Sequence, residues 1–168
     1  MPVADAANSG TFQVTTPSET EIRLTRLFDA PRELVFDALT KPEHVRRWWG
    51  CLSPEHGVSV CEIDLRVGGQ WRYVGYGPEG DYPAFYGVYE EITRPSRLVN
   101  TEVFEPYPGA GSRVVCELTE EGGKTRVTVT ASYPSQDVRD MVIGTGMEKG
   151  AGISYDRMED LLAELQRA

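Results

Sequence analysis

The sequence predicts an α+β fold: a curved antiparallel sheet of about seven strands around a long C-terminal helix, with two short helices after the first strand. Three observations carry this reading. Alternating apolar runs follow one another from Val58 to Tyr133 with short turn signals between them, and strands joined as hairpins are antiparallel. Met147, Ala151, Tyr155, Met158, Leu162 and Leu165 recur at spacings of 4, 4, 3, 4 and 3, which is one helical face. A long amphipathic helix has to bury that stripe, and the only large partner is the concave face of the sheet.

Each element follows from local chemistry. Residues 1–20 are small and polar and read as an N-terminal arm, within which TFQVTT alternates and suits an edge strand. Residues 21–168 read as a single domain. Glu21 to Phe28 alternates as a strand, with Ile22 and Leu24 inward and Arg23 and Arg26 outward. Pro31 suits a helix start, where its missing N–H costs nothing, and Leu34, Val35, Phe36 and Leu39 form the apolar stripe. Pro42 drives Lys41 out of the α region and ends that helix. It also opens a second short helix carrying Val45, Trp48 and Trp49, stopped at Gly50.

The strand VSVCEIDLRV then runs into Gly68-Gly69, a hairpin signal because both residues tolerate positive φ. QWRYVGY, PAFYGVYEEI and RLVNTEVFE follow, and SRVVCELTE pairs with KTRVTVTASY across Glu121-Gly122-Gly123. Ser135 is an N-cap candidate for a short helix ending near Ile143, and the long helix starts near Thr145 or Gly146.

Composition bounds the function. Lys and Arg total 17 against 26 Asp and Glu, a formal charge of −9. That field repels polyanions, so nucleic acid and anionic membrane surfaces are not expected partners. No apolar run approaches the ~20 residues of a membrane span. MPVADAANSG lacks the basic start and apolar centre of a signal peptide, so a cytoplasmic location is expected. Cys51, Cys61 and Cys116 are odd in number and include no CxxC, which points to reduced, buried thiols.

Four strings, in order, carry a resemblance. FDAPRELVFDALTKPEHVRRWWG, DLRVGGQWRYV, GVYEEITRPSRLVNT and GMEKGAGISYDRMEDLL resemble the activator-of-heat-shock-ATPase homologue (AHSA-type) domains of the START-like, Bet v 1-like helix-grip superfamily. The resemblance spans about residues 20 to 167 and implies the helix-grip fold. That superfamily includes lipid carriers, polyketide cyclases and stress-response proteins, so the fold alone does not name the activity. This sequence departs from the usual pattern in placing Ala151 where a Trp is common. Tyr155 and Met158 stand at usual Leu positions. The departure implies a roomier space beside the helix. The eukaryotic chaperone activators that give the family its name carry a further N-terminal domain, which this sequence does not contain.

The candidate site is aromatic. Trp48, Trp49, Trp71, Tyr73, Phe85, Tyr86, Phe104 and Tyr155, with Met141, Met147 and Ala151, are the expected ligand-binding residues. Aromatic and Met side chains line apolar pockets, and a few hydroxyls orient the bound molecule. Trp71 and Tyr73 share a strand face. Tyr86 and Val88 oppose Phe85 and Tyr89, and the alternation does not say which pair faces inward.

No catalytic constellation stands out. Glu90, Glu91, Glu102 and Glu117 lie in strands, and one of them facing the interior would be an acid–base candidate. His44, Cys51, His56 and Cys61 are separated by six, four and four residues, not the knuckle spacing of a zinc site, so no metal or other cofactor is expected. GTGMEKGAG is not a P-loop.

Three function classes remain open. One is a module binding a small apolar or aromatic molecule between sheet and helix. The second is a polyketide cyclase-like or aromatase-like enzyme, and the third a chaperone-ATPase-modulating interaction domain. A polar arm and open sheet edges would also serve a homodimer.

Overall fold

The computed structural model describes residues 11–167. The predicted class holds. One antiparallel sheet is built from β1 (Gln13–Thr15), β2 (Glu21–Phe28), β3 (Gly57–Ile63), β4 (Gln70–Gly77), β5 (Gly80–Asp81), β6 (Phe85–Thr93), β7 (Arg97–Phe104), β8 (Ser112–Glu121) and β9 (Lys124–Ser132). Its order is β1-β2-β9-β8-β7-β6-β4-β3, with β5 pairing β4. The count exceeds seven because two very short strands, β1 and β5, join the expected set. Helices α1 (Arg32–Thr40) and α2 (Pro42–Trp48) close one end, and α3 (Gln136–Gly144) leads into the gripped helix α4 (Met147–Arg167). The polar N-terminal residues 1–10 lie outside the described residues.

Turn chemistry explains the hairpins. Glu121 pairs Lys124, and the two residues between them, Gly122 and Gly123, both have positive φ (59° and 84°). That is the twist-matched two-residue turn that Gly-Gly favours. The β3–β4 connection is longer than expected, because β3 stops at Ile63 instead of continuing to Val67. The reason is a competing partner: Gly68 N–H donates to the Tyr89 carbonyl and Tyr89 N–H to the Gly69 carbonyl (2.8 and 2.9 Å). The glycines therefore pair with β6, and only Gly68 of the two takes positive φ.

Ser135 caps α3 by accepting from Val138 N–H. On α4, Tyr155, Met158, Leu161 and Leu162 are buried against the sheet. Full burial of each such side chain contributes about 1.5–3 kcal/mol.

Arg26 corrects the expectation for β2. It shares parity with Ile22, Leu24 and Phe28, so it points beneath α4 and not outward. Its side chain is 11% exposed, bonds Asp156 of α4 at 2.5 Å and lies over the Phe28 ring. The register with β9 confirms the face, since Arg26 stands opposite Val127, which is fully buried. Arg23 does lie on the other face, bonded to Thr130 Oγ1.

The segment from Thr11 to Thr16 supplies the edge strand its alternation predicts. Phe12 and Val14 are buried, and β1 pairs β2 in register. The sheet edges are β1 and β3, and both are blunted. β1 has three residues. β3 shifts register between Val58 and Val60, and Arg46 occupies the Val58 carbonyl at 3.2 Å. Short, bulged or covered edges discourage strand addition by a second copy. Among the described residues no helix is long and apolar enough to cross a membrane.

Candidate functional site

The inward face of the sheet follows from parity and register. Trp71 and Tyr73 of β4 point inward, opposite Gly87 and Phe85 of β6. Leu98, Asn100, Glu102 and Phe104 of β7 face the same way, and Leu98 is buried in the core. Phe85 and Tyr89 are therefore the inward pair of β6, and Tyr86 and Val88 face out.

The inward aromatic rings form a continuous series. Tyr107 lies 6.1 Å from Phe104, Phe104 4.7 Å from Phe85, and Phe85 5.5 Å from Trp49. Trp49 lies 5.3 Å from Tyr73, which lies 4.7 Å from Trp71. The series runs from an exposed ring, Tyr107, to a buried one, Trp71. Trp71 crosses Gly87 to donate from Nε1 to the Thr101 carbonyl at 3.1 Å. A Cβ on Gly87 would stand 1.9 Å from that carbonyl oxygen and 2.7 Å from Nε1, so only glycine fits beneath the indole.

Trp49, Tyr73, Phe85, Tyr133 and Ala151 pack against the buried core without being fully covered. Trp49, Tyr73, Phe85, Asn100, Glu102, Phe104, Tyr133 and Ala151 all keep partial accessibility. Side chains that point at the core yet retain surface line a cleft.

One ionisable group in that cleft is unusual. Glu102 keeps partial accessibility in the cleft, yet desolvation by the surrounding protein pushes its carboxyl from 4.5 up to about 7. Its side chain has no hydrogen-bond or ion-pair partner among the described residues. It stands opposite buried Ser112 in the β7–β8 register. It is close enough to Tyr73, Tyr133 and Tyr155 to raise their hydroxyls further, after burial has raised them most. Tyr89 is pushed up to about 12, chiefly by burial, and its hydroxyl couples to that of Tyr73. Cys61 and Cys116 are raised by burial to about 11 and about 12. At neutral pH these neighbours are uncharged donors and acceptors, and Glu102 is the group among them poised to change charge.

The predicted site residues divide into three sets. Trp49, Trp71, Tyr73, Phe85 and Phe104 come together in the ring series, and Ala151 of α4 is partly buried against the same core. Trp48 and Tyr155 are packed into the core instead. Trp48 Nε1 is bonded to the Ala38 carbonyl, and Tyr155 is 7% exposed among the rings of Phe12, Phe28 and Trp48. Met147, in the first turn of α4, is half-buried, while Met141 is 46% exposed on α3. Tyr86 lies on the outer face, in an open groove of about 910 Å³ shared with Glu62, Asp64 and Arg72.

Of the four strand carboxylates, Glu90, Glu91 and Glu117 face out and pair with Arg113, Arg97 and Arg97. Only Glu102 turns inward. Its parity with Leu98 and Phe104 signals this, but Val99 and Val103 put apolar residues on the other face as well. Tyr133 follows the β9 parity of Val127 and Val129. His44, Cys51, His56 and Cys61 do not converge, and among the described residues no three His, Cys, Asp or Glu side chains gather as a metal site.

A sheet gripping one long helix over a partly open aromatic cleft defines a helix-grip protein. The chain belongs to the family described as Activator of Hsp90 ATPase homolog 1-like protein, whose model matches residues 29–163. Solved structures agree. A Rhodobacter sphaeroides protein is 25% identical at a TM-score of 0.83, covering 91% of this chain and 99% of that one. Protein NE0264 from Nitrosomonas europaea is 28% identical at 0.79, covering 91% and 100%. Protein Ms6760 from Mycobacterium smegmatis is 27% identical at 0.76, covering 89% and 96%. No curated protein matches the chain.

Proposed function

We propose that the protein binds a small, largely apolar or aromatic molecule between the inward face of the sheet and α4. The observation that carries this reading is the ring series from Tyr107 to Trp71, which keeps uncovered surface where a solid core would have none. Apolar surface left open inside a fold is stabilised by whatever apolar molecule fills it.

The test uses the neutral dye N-phenyl-1-naphthylamine and its fluorescence gain on binding. Phe104→Ala, on the wall, is expected to weaken binding. Tyr86→Ala, on the outer face, is expected to leave it unchanged. The opposite pattern would move the site to the outer groove. Native mass spectrometry of protein purified from its own host would weigh any retained molecule.

A second reading is favoured by Glu102. A carboxyl titrating near neutrality suits proton transfer, and cyclase-like chemistry requires removal of a proton beside a carbonyl. The expected signature is deuterium exchange at the α-carbon of 2-tetralone in D2O. The C–H bond breaks, Glu102 takes the proton, and a solvent deuteron returns to carbon. Exchange no faster than with Glu102→Gln would remove this reading. The chaperone-ATPase role in the family's name concerns an outside partner, to which these inward-facing side chains offer no contact.

A further inference from the structure

The cleft's inventory of charge says more about its occupant, given the cleft-binding reading on which this rests. We infer that the molecule bound there carries a protonated nitrogen on its apolar body, and that Glu102 is the group that meets it.

Tyr73, Tyr133 and Tyr155 lie near enough to Glu102 to feel its charge, and the titratable groups around and beyond them can be taken element by element. From β4, β6, the residue after β9, and α4 come the hydroxyls of Tyr73, Tyr89, Tyr133 and Tyr155. From β3 and β8 come the thiols of Cys61 and Cys116. All are held in their uncharged forms by burial. From β2 comes Arg26, whose guanidinium is already bonded to Asp156. From α2, Arg46 is committed to the Val58 carbonyl. Buried Arg139 of α3 is committed to Asp140 and the carbonyls of Ser18 and Glu21. Asn100 donates one amide N–H to the Thr101 carbonyl and keeps a second N–H and an acceptor oxygen.

A second carboxylate points the same way. Glu148 shares a helical face with buried Gly152 and Tyr155, and its Oε2 is buried without a hydrogen-bond partner. Burial is the sole cause of the rise at Glu102, so the two carboxylates stand apart. Glu102 therefore presents an unspent acceptor, and each of the three arginines named here is already committed elsewhere.

An anionic ligand would bring a like charge toward Glu102 with nothing to neutralise it. A neutral one would leave the carboxyl to protonate or to remain uncompensated. A cation pairs with the carboxylate where water is scarce, and the faces of Trp49 and Tyr73 add cation–π attraction.

Three probes of one shape test this: 2-naphthylmethylammonium, 2-naphthylmethanol and 2-naphthoate, titrated calorimetrically at pH 8. The ammonium is expected to bind on the order of tenfold tighter than the alcohol, and the naphthoate more weakly than either. Glu102→Gln should erase the ammonium's advantage over the alcohol. Glu120→Gln, the same charge change on the exposed sheet surface, should erase none of it, which separates Glu102 from the protein's overall negative field.

Equal affinity for ammonium and alcohol, or an advantage that survives Glu102→Gln, would overturn the inference while alcohol binding upholds the cleft. Failure of all three probes to bind would overturn the cleft reading and this inference together.

Discussion

Glu102→Gln changes one side-chain atom's chemistry and almost nothing of its shape, which makes it the sharpest perturbation available. In the folded protein the Glu102 carboxyl titrates at about 7, against 4.5 in an unperturbed chain. The fold therefore holds this proton more tightly than the unfolded chain does. With the folded value raised above the unfolded one, Glu102 costs nothing below about pH 4.5. Its cost grows as pH rises from there and levels off above about 7. At about 1.4 kcal/mol per pH unit, the full span is worth about 3 kcal/mol. Any constant effect of the amide cancels when two pH values are compared. The stability gained by Glu102→Gln should thus be about 3 kcal/mol larger at pH 8 than at pH 4.5. Urea denaturation of both proteins at the two pH values measures it. For a chain of this size, this amounts to about 6–12 °C in midpoint if followed thermally. A gain that does not change with pH would refute the reasoning, and would mean that water or a cation already solvates the carboxylate inside the fold.

Two further outcomes are expected. Ala151→Trp should fill space beside α4, weaken binding of N-phenyl-1-naphthylamine and leave the thermal midpoint equal or higher; unchanged dye affinity with a cost of about 1–3 kcal/mol would mean the core is already dense there. Gly87→Ala should destabilise by about 3 kcal/mol, because its Cβ meets the Thr101 carbonyl at 1.9 Å, and should red-shift Trp71 emission as the indole is displaced; a native midpoint would refute the close approach.

The fold was legible wherever one signal acted alone. Ser135 as a cap, Pro42 between two helices, Gly122-Gly123 as a turn and the α4 stripe each have a single local cause. Legibility failed where a distant strand competed. Nothing local in VSVCEIDLRV says that β3 ends at Ile63, because the cause is the backbone of Tyr89, in another hairpin. The site was legible in composition but not in direction. The aromatics were identified by type, yet Tyr86 and Phe85 are neighbours on opposite faces. Only the register with β4 and β7 assigns them. Arg26 was assigned outward because charge normally goes to solvent. Its parity said otherwise, and Asp156, 130 residues away, is what permits it.

Glu102 fails to fit the pattern in a different way, and the misfit has a physical meaning. The same antiparallel sheet disposes of three other strand carboxylates cheaply: Glu90, Glu91 and Glu117 each face out beside an arginine. Glu102 instead occupies an inward position between Asn100 and Phe104, where a leucine would bury apolar area and cost no desolvation. Domains of this kind are stable by only about 5–15 kcal/mol, so a standing cost of about 3 kcal/mol at pH 8 is a large fraction. The rest of the wall does not need the carboxylate: Trp71 is held by the Thr101 carbonyl, and Arg26 by Asp156. Among the described residues Glu102 has no partner that its removal would orphan, and the cation inferred above is the group that would recover its cost. The partly open ring series of Trp49, Tyr73, Phe85 and Phe104 is where such a group can enter.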